Sequence, residues 1–289
     1  MILGAIEISN RSTRLTVADV GERDSARILE RVHAVSAKLK NLERLSALLM
    51  AEVEAARDLG AERIEVYAEA DLRGTRLVRL LGRVTAGVGA GDIRIPAERE
   101  RVAASFVAAT VPGGADLQGP IGVALVGPAT VGIGVGEPGD PPVWVGSRPV
   151  GAAVISEKAR FSDPPRPNQI EAAITGASRK IESLSPPPID RLMVVSNFAP
   201  VIERLCGGSV THDDARRGLD SILGQTSDDL AAWFGVEPAT SRLLPGTIVG
   251  HAALADAFGV PVEPVGCDSV AGREWLERSG VAPAGGRAR

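Results

Sequence analysis

The feature that most constrains the fold of this chain is a strand-turn-strand opening that occurs twice, about 120 residues apart. In the first copy, alternating apolar residues predict strands at 2–8 and 13–19, joined by a polar turn. In the second copy, the same alternation appears in IGVALVG and TVGIGVG between residues 121 and 136. A third strand is predicted after each pair, at 26–35 and within VWVGSRPVG. The sequence therefore predicts two similar halves, each beginning with a β-meander.

Helices and strands follow each opening, an order typical of α/β layers that contain parallel strands. In the first half we predict a helix at 42–59 capped by Asn41, a strand at 63–68, a helix at 75–84, a strand at 92–95 and a helix at 97–109. VPGGADLQGP at 111–120 is the predicted linker. In the second half we predict helices at 168–184, from 199, from 211, and at 227–234, 247–258 and 270–278, with strands at 191–196 and 260–266.

Composition excludes several classes of function. The 289 residues, of which 44% are hydrophobic, suffice for a globular core in one or two domains. The 36 acids and 32 bases give a net charge of -4 spread along the chain, which offers no basic surface for nucleic acid. Residues 1–9 lack the basic leader and the apolar core of a signal peptide, so we predict a cytoplasmic protein.

The longest uncharged stretch, Leu117–Gly136, has the length of a membrane span. It contains six glycines and two prolines, and its apolar residues alternate as they do in strands. These features favour a β-hairpin over a transmembrane helix, and we predict no membrane partner.

Cysteines and histidines form no metal-binding pattern. Cys206 and Cys267 lack C-x-x-C spacing, which predicts reduced, structural thiols. His33, His212 and His251 are far apart in sequence, so we expect each to be hydrogen-bonded or exposed rather than bound to a metal.

Common nucleotide and nucleophile motifs are also absent. The sequence contains no G-x-x-x-x-G-K-[ST] and no G-x-S-x-G. GVGAGD at 87–92 is followed by a predicted strand instead of a helix, which indicates a loop and not a dinucleotide site.

The first strand carries an acid, Glu7, within AIEISNRSTRL at 5–15. Glu7 is interpreted either as an edge-strand acid that pairs with Arg14 or as part of a metal and phosphate site. This segment resembles the start of the exopolyphosphatase and guanosine pentaphosphate phosphohydrolase (Ppx/GppA) family, which has the form A-I-D-I-G-S-N-S-T-R-L. Similarly, AEADLR at 68–73 resembles the family segment A-T-S-A-L-R, and IPAERERVAASF at 95–106 resembles S-G-E-E-E-A.

Two further segments extend the resemblance over nearly the whole chain. RPVGAAVISEKARFSDPP is similar to a family stretch of the form S-L-P-L-G-A-x-R-L-T-E, and RLLPGTIVGHAALADAFGV is similar to R-A-x-x-L-P-A-G. The resemblance implies an α/β actin-like ATPase (ribonuclease H-like) fold, with two mixed sheets flanked by helices in two lobes around a cleft. It implies lobes at 1–115 and 120–280, and the Gly, Ala and Arg residues at the end of the chain predict a flexible tail at 281–289.

The resemblance also assigns site residues. Matching positions imply a phosphate-binding set of Ser12, Thr13, Arg14, Arg11, Gly127 and Thr130. Glu7 takes the place of the family aspartate that would hold Mg²⁺. The implied catalytic residues are Glu100, Arg73 and, in a shifted register, Glu98. From the residues alone, the two glutamates also fit as helix-start acids and Arg73 as a surface ion pair.

The chain departs from the family at its phosphate loops. The family's second loop, D-I-G-G-G-S-T-E, aligns with ALVGPATV, in which only Gly127 and Thr130 match. Val126 and Pro128 replace glycines, and Pro128 lacks an N–H donor. The third glycine element aligns with SNFAP at 196–200 and is also lost. We therefore expect hydrolysis of phosphoanhydrides to be strongly reduced or absent.

Two functions from different classes follow from these residues. One is a Ppx/GppA-type phosphohydrolase of reduced activity, acting on polyphosphate or guanosine pentaphosphate with Mg²⁺. The other is a non-catalytic relative that binds an anionic phosphate-containing ligand or serves a regulatory partner. A sugar or acyl kinase of the same superfamily is disfavoured because it needs intact loops. No nucleic-acid partner is expected, and a homodimer is compatible with the sequence.

Overall fold

The computed structural model describes residues 1–8, 12–20, 26–35, 42–68, 76–87, 90, 93–110, 117–236 and 238–266. These residues divide into two compact units, one reaching up to Arg101 and the other beginning at Val102. The division therefore falls inside a helix, before the predicted linker at 111–120. Over the described ranges, no helix combines the length and apolar character needed to cross a membrane.

The first half contains five strands and three helices among the described residues. They are β1 (Ile2–Ile8), β2 (Ser12–Val20), β3 (Ala26–Val35), α1 (Leu42–Asp58), β4 (Arg63–Ala68), α2 (Arg76–Gly87), β5 (Ile93–Arg94) and α3 (Glu98–Thr110). The strands form one sheet in the order β3-β2-β1-β4-β5. The first three strands pair antiparallel, and β1, β4 and β5 pair parallel.

Alternation along these strands decides which residues meet the helices. Ile6 and Ile8 on β1 and Leu15 on β2 share a buried cluster with Leu45 and Leu49 of α1. Residues between them, such as Glu7 and Arg14, therefore lie on the opposite face of the sheet. Helix α1 lies where the apolar stripe predicts it, because residues three and four apart share one helical face.

The second half contains five strands and seven helices in the described part of the chain. The strands are β6 (Ile121–Val126), β7 (Val131–Gly136), β8 (Trp144–Arg148), β9 (Arg191–Val195) and β10 (Val262–Val265). The helices are α4 (Ala152–Lys158), α5 (Pro167–Glu182), α6 (Ala199–Cys206), α7 (His212–Ile222), α8 (Ser227–Phe234), α9 (Pro238–Ser241) and α10 (Leu244–Phe258).

The second sheet repeats the topology of the first. Its order is β10-β9-β6-β7-β8, with β6, β7 and β8 antiparallel and β6, β9 and β10 parallel. Each sheet thus starts with a meander and adds two parallel strands beside its first strand, which confirms the predicted duplication. The uncharged stretch forms the β6–β7 hairpin, as its alternating residues indicate.

The core of the second unit packs its sheet against a central helix, α10. Residues from Leu244 to Ala255 of this helix are all buried. Gly246 lets α10 approach α4, because a Cβ there would lie 2.3 Å from the carbonyl oxygen of Ala152. A residue larger than glycine would force these helices apart.

Several elements differ from the sequence-based expectations. Helix α4, which follows β8 directly, and the short α9 were not predicted, because their apolar residues are too few to show a helical period. Helix α10 begins three residues before the expected position, at Leu244. The predicted loop at 87–92 is only partly described, and the helix at 270–278 and the tail at 281–289 lie outside the described residues.

Candidate functional site

The first hairpin brings Glu7 and Arg14 together. They are direct partners in the antiparallel β1–β2 register, and the carboxylate lies 3.8 Å from the guanidinium. Their side chains are 28% and 35% exposed, so water screens the pair and its contribution to stability is at most about 1 kcal/mol. The structure thus contains the ion pair that the first interpretation of Glu7 predicts, but the edge-strand part of that interpretation is wrong, because β1 is the central strand of its sheet.

Thr13 points to the other face of the same hairpin. Its side chain is fully buried, and its hydroxyl donates a hydrogen bond of 2.6 Å to Oε1 of Glu52 on α1. The hydroxyl hydrogen of Thr13 is therefore already used within the protein.

Glu52 is the buried acid of this unit. It is 3% exposed, and burial raises the pKa of its carboxyl from 4.5 to about 7, although the Thr13 hydrogen bond acts in the opposite direction. Its Oε2 atom has no hydrogen-bond partner among the described residues. Sequence analysis did not single out Glu52, but its spacing from Leu45, Leu49 and Ala56 places it on the apolar face of α1.

We expect the buried Glu52 to contribute a free energy of unfolding that decreases as pH rises. Its folded pKa lies above its unfolded value, so unfolding releases a proton between pH 4.5 and 7. The free energy of unfolding should fall by about 2 kcal/mol from pH 5 to pH 7 through this group. Urea unfolding of Glu52→Gln across this range measures the effect, because the amide cannot ionise.

Glu54→Gln is the matched control, since Glu54 lies on the same helix and is exposed. Between pH 5 and pH 7, the free energy of unfolding of the control variant should change as it does in the wild-type protein. In Glu52→Gln, the decrease over this range should be smaller by about 2 kcal/mol. Equal slopes in both variants would show that Glu52 does not carry the pH dependence.

The two glutamates proposed for catalysis lie in the first turn of α3. Oε2 of Glu100 accepts a hydrogen bond of 2.7 Å from the backbone N–H of Ala97, and Glu98 pairs with Arg101 at 3.2 Å. Both contacts are typical of helix-start acids. Oε1 of Glu100 is buried from solvent and has no hydrogen-bond partner within the described ranges.

Three predicted site residues fall where the structure gives little or no information. Arg11 and Arg73 lie outside the described residues. Ser12 is the first residue of β2, and its side chain is likewise outside them. The predicted phosphate-binding roles of Arg11 and Ser12 and the predicted catalytic role of Arg73 stay predictions.

Gly127 and Thr130 close the turn between β6 and β7. The N–H of Gly127 donates a hydrogen bond of 3.0 Å to the carbonyl of Thr130. Because Pro128 has no N–H, at most two of the four backbone positions at 127–130 can donate to a ligand. The turn therefore offers fewer donors than a glycine-rich phosphate loop.

The carbonyls of this turn point at the beginning of α4. Gly127 and Ala129 accept hydrogen bonds of 3.0 and 3.1 Å from the N–H groups of Ala152 and Gly151. Pro128 accepts from the N–H groups of residues 153 and 154, at 2.9 and 3.4 Å. Since these N–H groups are satisfied within the protein, the start of α4 is not available to bind an anion.

A Cβ atom at Gly151 would lie 2.4 Å from the carbonyl oxygen of Gly127 and 2.5 Å from the backbone of Ala129 and Thr130. Only glycine allows this approach, because real Cβ contacts are not shorter than about 3 Å. We call this contact between the turn at residues 127–130 and the helix start at residues 151–154 the turn–helix joint.

The donor set for Mg²⁺ in the described part of the chain is poor. No group of three or more His, Cys, Asp or Glu side chains comes together there, and Glu7 shares its carboxylate with Arg14. A neighbouring guanidinium opposes the binding of a second cation. The described residues therefore do not fit a strongly bound metal, and we derive no reaction step through one.

The described cysteine and histidine side chains have structural environments, whereas the side chain of His33 lies outside the described residues. Burial raises the pKa of the Cys206 thiol to about 11, which makes it unreactive, and Cys267 lies outside the described residues. Nδ1 of His212 lies 2.7 Å from Asp256. His251 is fully buried, and its Nδ1 donates a hydrogen bond of 2.8 Å to the carbonyl of Thr247.

The duplicated sheets define the class of protein. Two units, each with a three-stranded meander extended by two parallel strands and flanked by helices, form the actin-like ATPase fold. Comparison with solved structures finds the same fold in other proteins. An exopolyphosphatase from Cytophaga hutchinsonii matches with a TM-score of 0.80 and 11% sequence identity, over 98% of this chain and 99% of that one.

Two structures of the Aquifex aeolicus Ppx/GppA protein match with TM-scores of 0.76 and 0.75 and 18% identity. They cover 96% and 97% of this chain, and 99% and 97% of the Aquifex chains. No protein-family model and no curated protein sequence matches this chain. The chain has the fold of Ppx/GppA proteins over nearly its whole length, which confirms the resemblance at the level of structure.

Proposed function

We propose that this protein is a diverged Ppx/GppA-type phosphohydrolase of reduced activity, whose substrate class is polyphosphate or guanosine pentaphosphate. One observation carries the proposal. The first hairpin keeps a half-exposed carboxylate and guanidinium, Glu7 and Arg14, whereas the second turn has lost phosphate donors through Pro128 and the internal bond of Gly127. The first hairpin thus keeps charged groups that suit a phosphate ligand, on the fold found in an exopolyphosphatase.

The roles follow from the chemistry of phosphoryl transfer, which depends on positioning and on charge stabilisation. Arg11 and Arg73 are proposed to bind the phosphate groups, together with the part-exposed guanidinium of Arg14. Glu100 is proposed to orient the attacking water, with Glu98 as the alternative in a shifted register. Glu7 would hold Mg²⁺ only if the substrate supplied most of the ligands, since Mg²⁺ often binds through one carboxylate and phosphates.

A non-catalytic anion-binding protein is the second candidate. The turn–helix joint favours it, because at most two backbone donors remain at 127–130 and electrostatic stabilisation by such donors supplies much of the catalysis at this kind of site. Cytoplasmic location, the absence of nucleic-acid and membrane partners, and a homodimer remain predictions from the sequence.

Phosphate release distinguishes the two candidates. Long-chain polyphosphate and guanosine pentaphosphate are incubated with the protein and Mg²⁺, and free phosphate is measured for wild type, Glu100→Gln and the exposed-site control Glu54→Gln. An enzyme of the proposed type releases phosphate slowly, and only Glu100→Gln lowers the rate, by about 100-fold or more. Saturable binding of polyphosphate without release supports the non-catalytic candidate. If the protein neither releases phosphate nor binds polyphosphate, both candidate functions are contradicted.

A further inference from the structure

The second unit contains a solvent-open cavity of about 390 Å³ between the α4–α5 connection and the segment from α8 to the start of α10. Its apolar walls come from Phe161, Leu230 and Pro245, and its polar rim from Glu157, Gln225 and Arg242. The volume is within the range of small-molecule sites. None of the residues proposed for phosphate chemistry lines this cavity.

A fixed polar network forms its floor. The carboxylate of Asp163 accepts hydrogen bonds of 2.7 and 2.5 Å from the N–H and the hydroxyl of Ser227. Ser227, only 4% exposed, also accepts a hydrogen bond of 3.3 Å from Nε of Arg242. Because Ser227 donates to the acid and accepts from the guanidinium, the network holds Arg242 at the rim in one orientation.

Three polar side-chain groups at the rim make no hydrogen bond or ion pair within the described structure. The two terminal Nη atoms of Arg242, the carboxylate of Glu157 and the side-chain amide of Gln225 have no partner among the described residues. A guanidinium offers paired N–H groups that match a carboxylate. A free carboxylate on the same rim matches an ammonium group.

We propose that this cavity binds a free α-amino acid with an apolar side chain. Arg242 takes the α-carboxylate, Glu157 takes the α-ammonium, and the side chain lies against Phe161 and Leu230. A phosphate-rich ligand is disfavoured, since Asp163 and Glu157 place two negative charges beside one positive charge. This inference is independent of the proposed function, because it uses a separate set of residues.

Calorimetric titration with L-leucine, L-methionine and L-phenylalanine tests the proposal. At least one of them should bind saturably below about 10 mM. For that ligand, the analogue without the carboxylate and the analogue without the amine should each bind about tenfold more weakly or worse, since each leaves one charged partner unpaired. If either analogue bound as tightly as the amino acid itself, the proposal that the cavity recognises both charged groups would be overturned.

The variant Arg242→Gln should weaken binding of the same amino acid by about tenfold or more. Its matched control is Arg179→Gln, an exposed arginine on α5 that does not line the cavity, which should bind like wild type. Gln225→Ala, at an exposed rim position, provides a second variant and should also weaken binding. The proposal is overturned if none of the three amino acids binds, or if Arg242→Gln binds as well as its control.

Discussion

Gly151→Ala is expected to lower the free energy of unfolding by about 4 kcal/mol, which corresponds to a fall in Tm of about 10 °C for a unit of this size. The added Cβ would lie 2.4 Å from the carbonyl oxygen of Gly127. Relieving this overlap separates the turn from α4 and breaks the hydrogen bonds of the turn–helix joint, each of which contributes about 1 kcal/mol. Chemical and thermal unfolding followed by circular dichroism measure the loss.

Gly176→Ala provides the contrast within the same unit. Gly176 lies in the interior of α5, and a Cβ there meets no atom within 4 Å. The same substitution should therefore stabilise the protein by about 0.5–1 kcal/mol through helix propensity. A Gly151→Ala protein that unfolds within about 1 kcal/mol of wild type would show that the joint is easily rearranged.

Acidification is expected to destabilise the protein through His251. Burial lowers the pKa of this histidine from 6.5 to about 4, whereas the unfolded chain binds the proton near pH 6.5. Unfolding therefore takes up a proton between pH 6.5 and pH 4, and the free energy of unfolding falls as pH decreases. The loss from pH 7 to pH 4 through this residue is about 3 kcal/mol.

His251→Leu removes the titrating group while keeping an apolar side chain of similar size. Its free energy of unfolding at pH 7 should remain within about 1.5 kcal/mol of the wild-type value. The loss of free energy of unfolding from pH 7 to pH 4 should be smaller than in the wild-type protein by about 3 kcal/mol. His212→Gln, at a partly exposed position, is the control for losing a histidine. If His251→Leu kept the wild-type slope, the buried ring would not be the source of the acid sensitivity.

The layout of the fold follows from local sequence patterns. The meanders at 2–35 and 121–148 and helix α1 have clear periods, and the structure places them close to the predicted bounds. Helix α4 is different because its start is held by contacts with a turn more than 20 residues earlier, and no local period reports such a contact. The boundary between the compact units, within α3, is likewise defined by contacts across the chain, which no local pattern reveals.

The candidate site was less predictable than the fold. The partnership of Glu7 with Arg14 follows from strand register, because both residues flank the same turn. The burial of Thr13 against Glu52 depends on which face of β2 meets α1, and motif matching carries no information on that. Strand alternation from Leu15 to Thr13, combined with the helical spacing from Leu49 to Glu52, would have predicted this contact.

The turn–helix joint has a consequence for how this chain could diverge. Its hydrogen bonds use only backbone carbonyls of residues 127–129, so side chains in the turn can be exchanged without disturbing α4. Pro128 illustrates this freedom, since it cannot donate to a ligand yet still accepts from α4. During evolution, substitutions in this turn can therefore remove a ligand site at little cost in stability. The fold can persist in a lineage after its original chemistry has been lost.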